Sequence, residues 1–183
     1  MHDEDWWCRP APEVAPALLG AQLTCHGVTA VITEVEAYQG EEDRACHARA
    51  GPTPRASGLY TPAGTLYVYR CYGIHDLLNV VCDRAGVPAA VLLRGIRVRA
   101  GGALVRARRS PTRGSLDRLC DGPGKLTRAL AVDRRLHGRR LGDPDCPLSI
   151  VPGTPPAAPR CGPRVGVAYA GPEWAGKPWR WWY

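Results

Sequence analysis

The chain has no phenylalanine and only two lysines, Lys125 and Lys177, against twenty-two arginines. It also has no CxxC pair, no apolar run long enough to cross a membrane, and no basic flank followed by an apolar stretch at its start. Each absence narrows the reading. Without Phe, the core must come from Val, Leu and Ala, and 21 Gly and 18 Pro imply a loop-rich mixed fold. The acidic opening Met1-His2-Asp3-Glu4-Asp5-Trp6-Trp7 is unlike a signal peptide, which leads us to expect a cytoplasmic protein with no membrane partner. Eight cysteines without metal-ligand spacing, in a chain of 183 residues that needs no staples, are expected to be reduced and to hold no structural metal.

The charge that is present is unevenly placed. Residues 1–91 carry −5, with six Arg and eleven Asp or Glu; residues 92–183 carry +12, with eighteen Lys or Arg and six Asp or Glu. A polyanion such as nucleic acid accounts for a strongly cationic half more readily than a small neutral substrate does. A GC-rich genome would also favour Arg codons, so distribution carries more weight than the total.

Glu13 to Leu19 reads as a short helix, and Gln22 to Cys25 with Val28 to Tyr38 reads as a hairpin about His26-Gly27. Glu41 to Arg49 has helical potential. Strands are expected over Thr65 to Cys71, Leu77 to Cys82, Ala89 to Val98 and Val165 to Tyr169, and helices over Gly101 to Arg109 and Lys125 to Val132. Gly122-Pro123-Gly124 before the last helix would let backbone N–H groups meet a phosphate, with Lys125 reinforcing the contact. Gly153 to Pro163 reads as a surface loop, and residues 1–12 as a loosely ordered start to a single domain.

Strand alternation puts Glu34, Glu36 and Tyr38 on one face, and Tyr67 and Tyr69 on one face of a later strand, with Tyr72 beyond them at a Gly73 turn. Paired carboxylates and strand tyrosines are by themselves more often solvated faces or packing than chemistry, and His47 and Asn79 are ambiguous alone. A metal-dependent hydrolase using Glu34, Glu36, Cys46 and His47, or a catalytically silent nucleic-acid binder, would fit the same residues.

The ordered set Thr33-Glu34-Val35-Glu36-Ala37-Tyr38, His47, Gly64 to Gly73, Asn79 and Val91-Leu92-Leu93-Arg94 resembles the alkyladenine (3-methyladenine, methylpurine) DNA glycosylase family. Gly122-Pro123-Gly124-Lys125-Leu126, Arg164-Val165-Gly166-Val167 and Lys177-Pro178 extend the resemblance from about Glu13 to the end. It implies a mixed α/β (α+β) domain around a curved, mainly antiparallel sheet, with surrounding helices and a protruding DNA-inserting hairpin. It implies that Glu36 activates water, that Arg94 lies near that water, and that Tyr38, His47 and Tyr69 hold an extruded purine. Asn79 would disfavour the amino group of guanine, Tyr72 would fill the gap in the duplex, and Lys125 would meet the backbone. No lysine sits in the motif as a Schiff-base nucleophile, so the resemblance implies a monofunctional enzyme, a monomer on double-stranded DNA containing damaged purines, needing no cofactor. Two departures stand out: Asp83-Arg84-Ala85-Gly86 lengthens the stretch between Asn79 and Arg94, and His75 stands where an aromatic is usual.

Overall fold

The computed structural model describes residues 4–183. Its backbone follows from runs of β-branched and aliphatic residues broken by glycine turns. β1 (Gln22–Cys25) and β2 (Val28–Gln39) form the expected hairpin, with His26 and Gly27 both at positive φ in the turn. β3 (Leu66–Cys71), β4 (His75–Val81) and β5 (Ala89–Ala100) follow, then β6 (Leu148–Val151), β7 (Arg160–Gly162) and β8 (Arg180–Trp182). All pairings are antiparallel, and the path runs β3-β4-β5-β2-β1-β6, with β8 on β2 and β7 on β8. The chain is thus a mixed α/β domain on an antiparallel sheet.

β2 organises this sheet. One edge pairs with β5; the other is shared, Val28 to Val31 with β1 and Glu34 to Glu36 with β8. Where the second edge changes partner, the β2–β5 register skips Thr33 and Arg94, a bulge beside which a side chain can be re-aimed. Beyond it, alternation separates two faces. Val35, Ala37, Leu66, Val68, Leu78, Val80, Val91 and Leu93 enter the main core, whereas Tyr67, Val81 and Ala90, with Tyr38 and Tyr69 packed on them, build a second cluster on the opposite face.

Helix α1 (Glu4–Trp7) and α2 (Ala11–Ala17) lie ahead of the sheet. The expected loose segment 1–12 differs in its described residues: Trp7 is buried in the main core, and its carbonyl accepts the Asp83 N–H at 2.9 Å. Burial of the indole holds this segment against the domain. α3 (Gly102–Arg109) packs on α4 (Pro123–Leu130), which begins two residues earlier than expected because Pro123 suits a first helical turn. Asp121, just before α4, bridges to Gly95 and so brings the helix start up to the strand carrying Arg94.

Three other expectations need correction. Glu41 to Arg49 is not an α-helix but turns followed by a 3-10 turn over His47–Ala50, because Asp43 receives the Gln39 and Ala45 N–H groups and bends the chain locally. Val165 to Tyr169 is not a strand; it is a turn leading to a 3-10 turn at Ala168–Ala170. The Gly153 to Pro163 loop contains β7, whose partner β8 is too remote in sequence to be inferred from a Pro-rich stretch.

Leu93 lies fully buried on β5 within the main core. Leu93→Ala should therefore destabilise the protein by about 2–5 kcal/mol, seen as a lower urea midpoint at unchanged slope.

Candidate active site

All eight residues singled out in the sequence, Glu36, Tyr38, His47, Tyr69, Tyr72, Asn79, Arg94 and Lys125, line one groove of about 1410 Å³. At its floor stands Glu36, whose side chain is 0% exposed. Its Oε1 accepts the Val165 N–H at 2.7 Å and faces Arg94 Nη1 at 3.4 Å; its Oε2 accepts the Tyr38 hydroxyl at 2.9 Å. A solvated sheet face would have left this carboxylate in water. Instead, burial pushes the Glu36 carboxyl above its ordinary range, opposed by Arg94, the Val165 N–H and the Tyr38 hydroxyl, while Glu34 adds to the rise.

Glu34 shares the Arg94 guanidinium, accepting Nε–H at 2.9 Å, and has Arg180 Nε at 3.8 Å. The bulge that leaves Arg94 out of the register thus places one cation across both carboxylates.

The other walls are aromatic. His47 meets the Tyr69 ring edge-on with centroids 4.5 Å apart, and Tyr69 lies 5.4 Å from Tyr67. The Tyr67 hydroxyl donates to the Arg55 carbonyl at 2.9 Å, so its oxygen takes the proton of His47 Nδ1, also at 2.9 Å. His47 therefore presents an unprotonated Nε2. Burial, with Arg55 and Arg49 nearby, lowers its pKa to about 4, so the ring is neutral at physiological pH. Asn79 is buried across from Tyr67 in the β3–β4 register and donates from Nδ2 to the Tyr67 carbonyl at 3.0 Å.

Tyr72 and Gly73 both have positive φ, the Ile74 N–H closes on the Cys71 carbonyl at 3.1 Å, and the side chain of Tyr72 is left 86% exposed. Ile74 stands beside it, 72% exposed. The base of this hairpin is pinned to α4: Thr127 Oγ1 donates to the Asp76 carbonyl at 2.6 Å, and a Cβ on Gly124 would come within 2.9 Å of the His75 ring. Lys125 is exposed and paired with Asp121 at 2.5 Å.

Sequence reasoning did not find what holds the Val165 N–H in place. Arg164 forms a fully buried bidentate pair with Asp43, Nη1 to Oδ2 at 2.6 Å and Nη2 to Oδ1 at 2.9 Å, and Nη1 also donates to the Ala37 carbonyl at 2.9 Å. Its guanidinium stacks over the Tyr38 ring at 4.8 Å and the Trp179 ring at 5.1 Å. One ion pair thus ties the chain after Glu36, the loop leading to His47, the backs of two aromatic rings and the donor next to Arg164. Sequence alternation places Tyr67 on the face of Tyr69 but gives it no role in the pocket, and it does not single out Ile74.

The residues of the alternative metal site do not converge. Glu34 and Glu36 are held by Arg94, His47 by Tyr67, and the buried Cys46 thiol is pushed up to about 11. Among the described residues no group of three or more His, Cys, Asp or Glu could hold an ion. Nor is any described helix long and apolar enough to cross a membrane.

A buried, donor-held carboxylate thus lies under an aromatic pocket, beside a hairpin tip that exposes Tyr72. Comparison with known proteins makes this specific. The model of the methylpurine-DNA glycosylase family matches residues 5–183. A protein of Nitrosococcus oceani is 47% identical over 96% of this chain and 86% of its own length. One of Frankia casuarinae is 47% identical over 97% and 86%, and one of Myxococcus xanthus 44% over 98% and 88%. Each is provisionally named a 3-methyladenine DNA glycosylase. The chain belongs to the methylpurine-DNA glycosylase family.

Asp43→Asn would leave Arg164 buried without its counter-charge, which should cost about 3–5 kcal/mol. The melting temperature should fall by roughly 6–20 °C for a domain this size; an unchanged melting curve would show that the pair does not anchor the site.

Proposed function

We propose that the protein excises alkylated and deaminated purines from double-stranded DNA, with Glu36 activating the attacking water, and leaves an abasic site. The observation that carries this reading is the fully buried Glu36 carboxylate receiving hydrogen bonds from Val165 and Tyr38, with Arg94 at its side. As the N-glycosidic bond breaks, its electron pair leaves with the purine and the sugar gains oxocarbenium character; the carboxylate stabilises that charge and takes the proton of the water that bonds to the sugar carbon. A desolvated carboxylate with an elevated pKa is a stronger base than one in water, while Arg94 opposes its protonation.

Alkylation makes the purine cationic and a good leaving group, so one carboxylate suffices where glycosidases use two. Tyr38, Tyr69 and His47 would grip the extruded base between rings. Asn79, held by the Tyr67 carbonyl, would meet the amino group of guanine. A deaminated purine is neutral and must take a proton as it leaves; with His47 neutral at a pKa of about 4, that proton would come from solvent water, so its excision should be slower than that of a cationic alkylated purine. Tyr72 would enter the gap, and Ile74 beside it offers a second apolar surface to the duplex. The strand would remain uncut, because Lys125 is paired with Asp121 and Lys177 is sandwiched at 4.1 and 4.7 Å from the Trp174 and Trp179 rings. We further propose that it works as a cytoplasmic monomer without a cofactor.

Single-turnover release of base from duplexes carrying one alkylated or deaminated purine tests this directly. Glu36→Gln should lower the rate at least about 10³-fold while lesion binding persists, and a chelator should have no effect. Undiminished excision by Glu36→Gln contradicts the role of Glu36, loss on chelation contradicts the cofactor-free reading, and failure of the unaltered protein to release any base leaves a binding module.

A further inference from the structure

Most arginines of the cationic half have identifiable work within the fold. Arg108 donates to the Ala129 and His26 carbonyls, Arg128 to the Arg108 and Ser110 carbonyls, and Arg106 to the Gly114 carbonyl. Arg164 has Asp43 and Arg94 has two glutamates. Arg109, the last residue of α3, is different. It is only 8% exposed, its buried Nε has no hydrogen-bond partner, and among the described residues no carboxylate lies within ion-pair distance of it. The acidic groups around it are engaged elsewhere: Asp121 holds Lys125, and Asp117 faces Arg97 at 4.0 Å. The neighbouring Cys120 thiol is pushed up to about 11 by burial and is uncharged.

A guanidinium mostly buried, with its Nε unpartnered and no counter-ion, leaves charge that a ligand can meet. What remains exposed of Arg109 faces the groove, which it lines together with Gly122, Gly124 and Lys125 at the start of α4. That eight-residue helix has no side-chain cap and no acidic residue in its first turn, so its N-terminal dipole and free N–H groups are open to an anion. The groove is the one that holds Glu36 and the Tyr72 hairpin, and Gly124 packs on His75 at the root of that hairpin.

We propose that Arg109 and the N-terminal turn of α4 form a phosphate site that clamps the DNA backbone beside the inserted hairpin. The proposal rests on DNA being the partner, and not on the role of Glu36. The fork of Arg109 would take two phosphate oxygens, which a lysine at this position could not do.

The test compares the full-length protein with Arg109→Met, which keeps the stem and removes the charge. Without DNA, the variant should melt at the same temperature or higher, because an unpaired buried charge has been removed. Its affinity for undamaged duplex should fall about tenfold, and the slope of log affinity against log salt should shrink by about one. Arg109→Lys should keep the slope and lose affinity. A variant that fails to fold, or that melts lower with duplex affinity and slope intact, assigns Arg109 a purely structural role and overturns the proposal. Inorganic phosphate separates the two sources of ligand. If millimolar phosphate protects the unaltered protein from melting while Arg109→Met leaves duplex affinity unchanged, the site belongs to a free anion and not to the DNA backbone. Because undamaged duplex serves as the probe, a protein that lost excision through a different catalytic group would still give the expected result.

Discussion

The structure depends on one carboxyl group kept out of water among hydrogen-bond donors. Glu36 is placed among apolar and aromatic neighbours, where ionisation is disfavoured, and three donors from separate parts of the chain oppose that penalty. Tyr38 comes from the same strand, Arg94 from the bulged neighbour, and the Val165 N–H from a loop more than a hundred residues later. The Asp43–Arg164 pair is what makes the third donor dependable. It anchors the loop at one end, and at the other it backs the Tyr38 ring that donates to Glu36. A buried ion pair is weak evidence for stability in general, but here it fixes the relation between segments that no single element spans.

The same sheet couples the carboxylate to the surface that would meet DNA. β3 carries Tyr67 and Tyr69 on its pocket face and runs directly into the Tyr72 turn, so the aromatic wall and the wedge share one strand. β4 returns with Asn79, and the hairpin root is held against α4 through Asp76 and His75. A displacement of the tip would therefore be felt both at the pocket and at the cationic start of α4. The asymmetry of charge along the chain takes on a sharper meaning. Several arginines of the second half are spent on backbone carbonyls, whereas Arg109 is buried with its Nε unpartnered and no carboxylate of the described residues in ion-pair reach.

Where periodicity and turn chemistry act over a few residues, the sequence was readable. The β1–β2 hairpin, the β3–β4–β5 run, and α3 and α4 lie within a few residues of their expected bounds. Alternation put Tyr67 beside Tyr69, and put Glu34 with Glu36, which the structure shows sharing Arg94. Long-range pairing was not readable. The β7–β8 ribbon joins Arg160–Gly162 to Arg180–Trp182 across a 3-10 turn and a short helix, and Val165 to Tyr169 has the composition of a strand but is turned by Gly166 at positive φ. The Asp43 turn overrode the helical potential of Glu41 to Arg49, since a side chain that caps two N–H groups offers the backbone an alternative to a helix. The chemical site came chiefly from the family resemblance. A glutamate pair in a strand does not reveal that one of them is buried, and a backbone N–H leaves no signature in the residue that carries it.

Titration of the Glu36 carboxylate by ¹³C NMR, set beside the pH dependence of single-turnover excision, tests the central claim most directly. The carboxyl should titrate above the ordinary glutamate range, and the excision rate should fall on acidification with the same midpoint, as the base is protonated. Arg94→Met should move both midpoints upward together, because Arg94 lowers the Glu36 pKa. A Glu36 that titrates like a solvent-exposed glutamate, or an acid limb that stays in place while the carboxyl midpoint moves, would contradict the account.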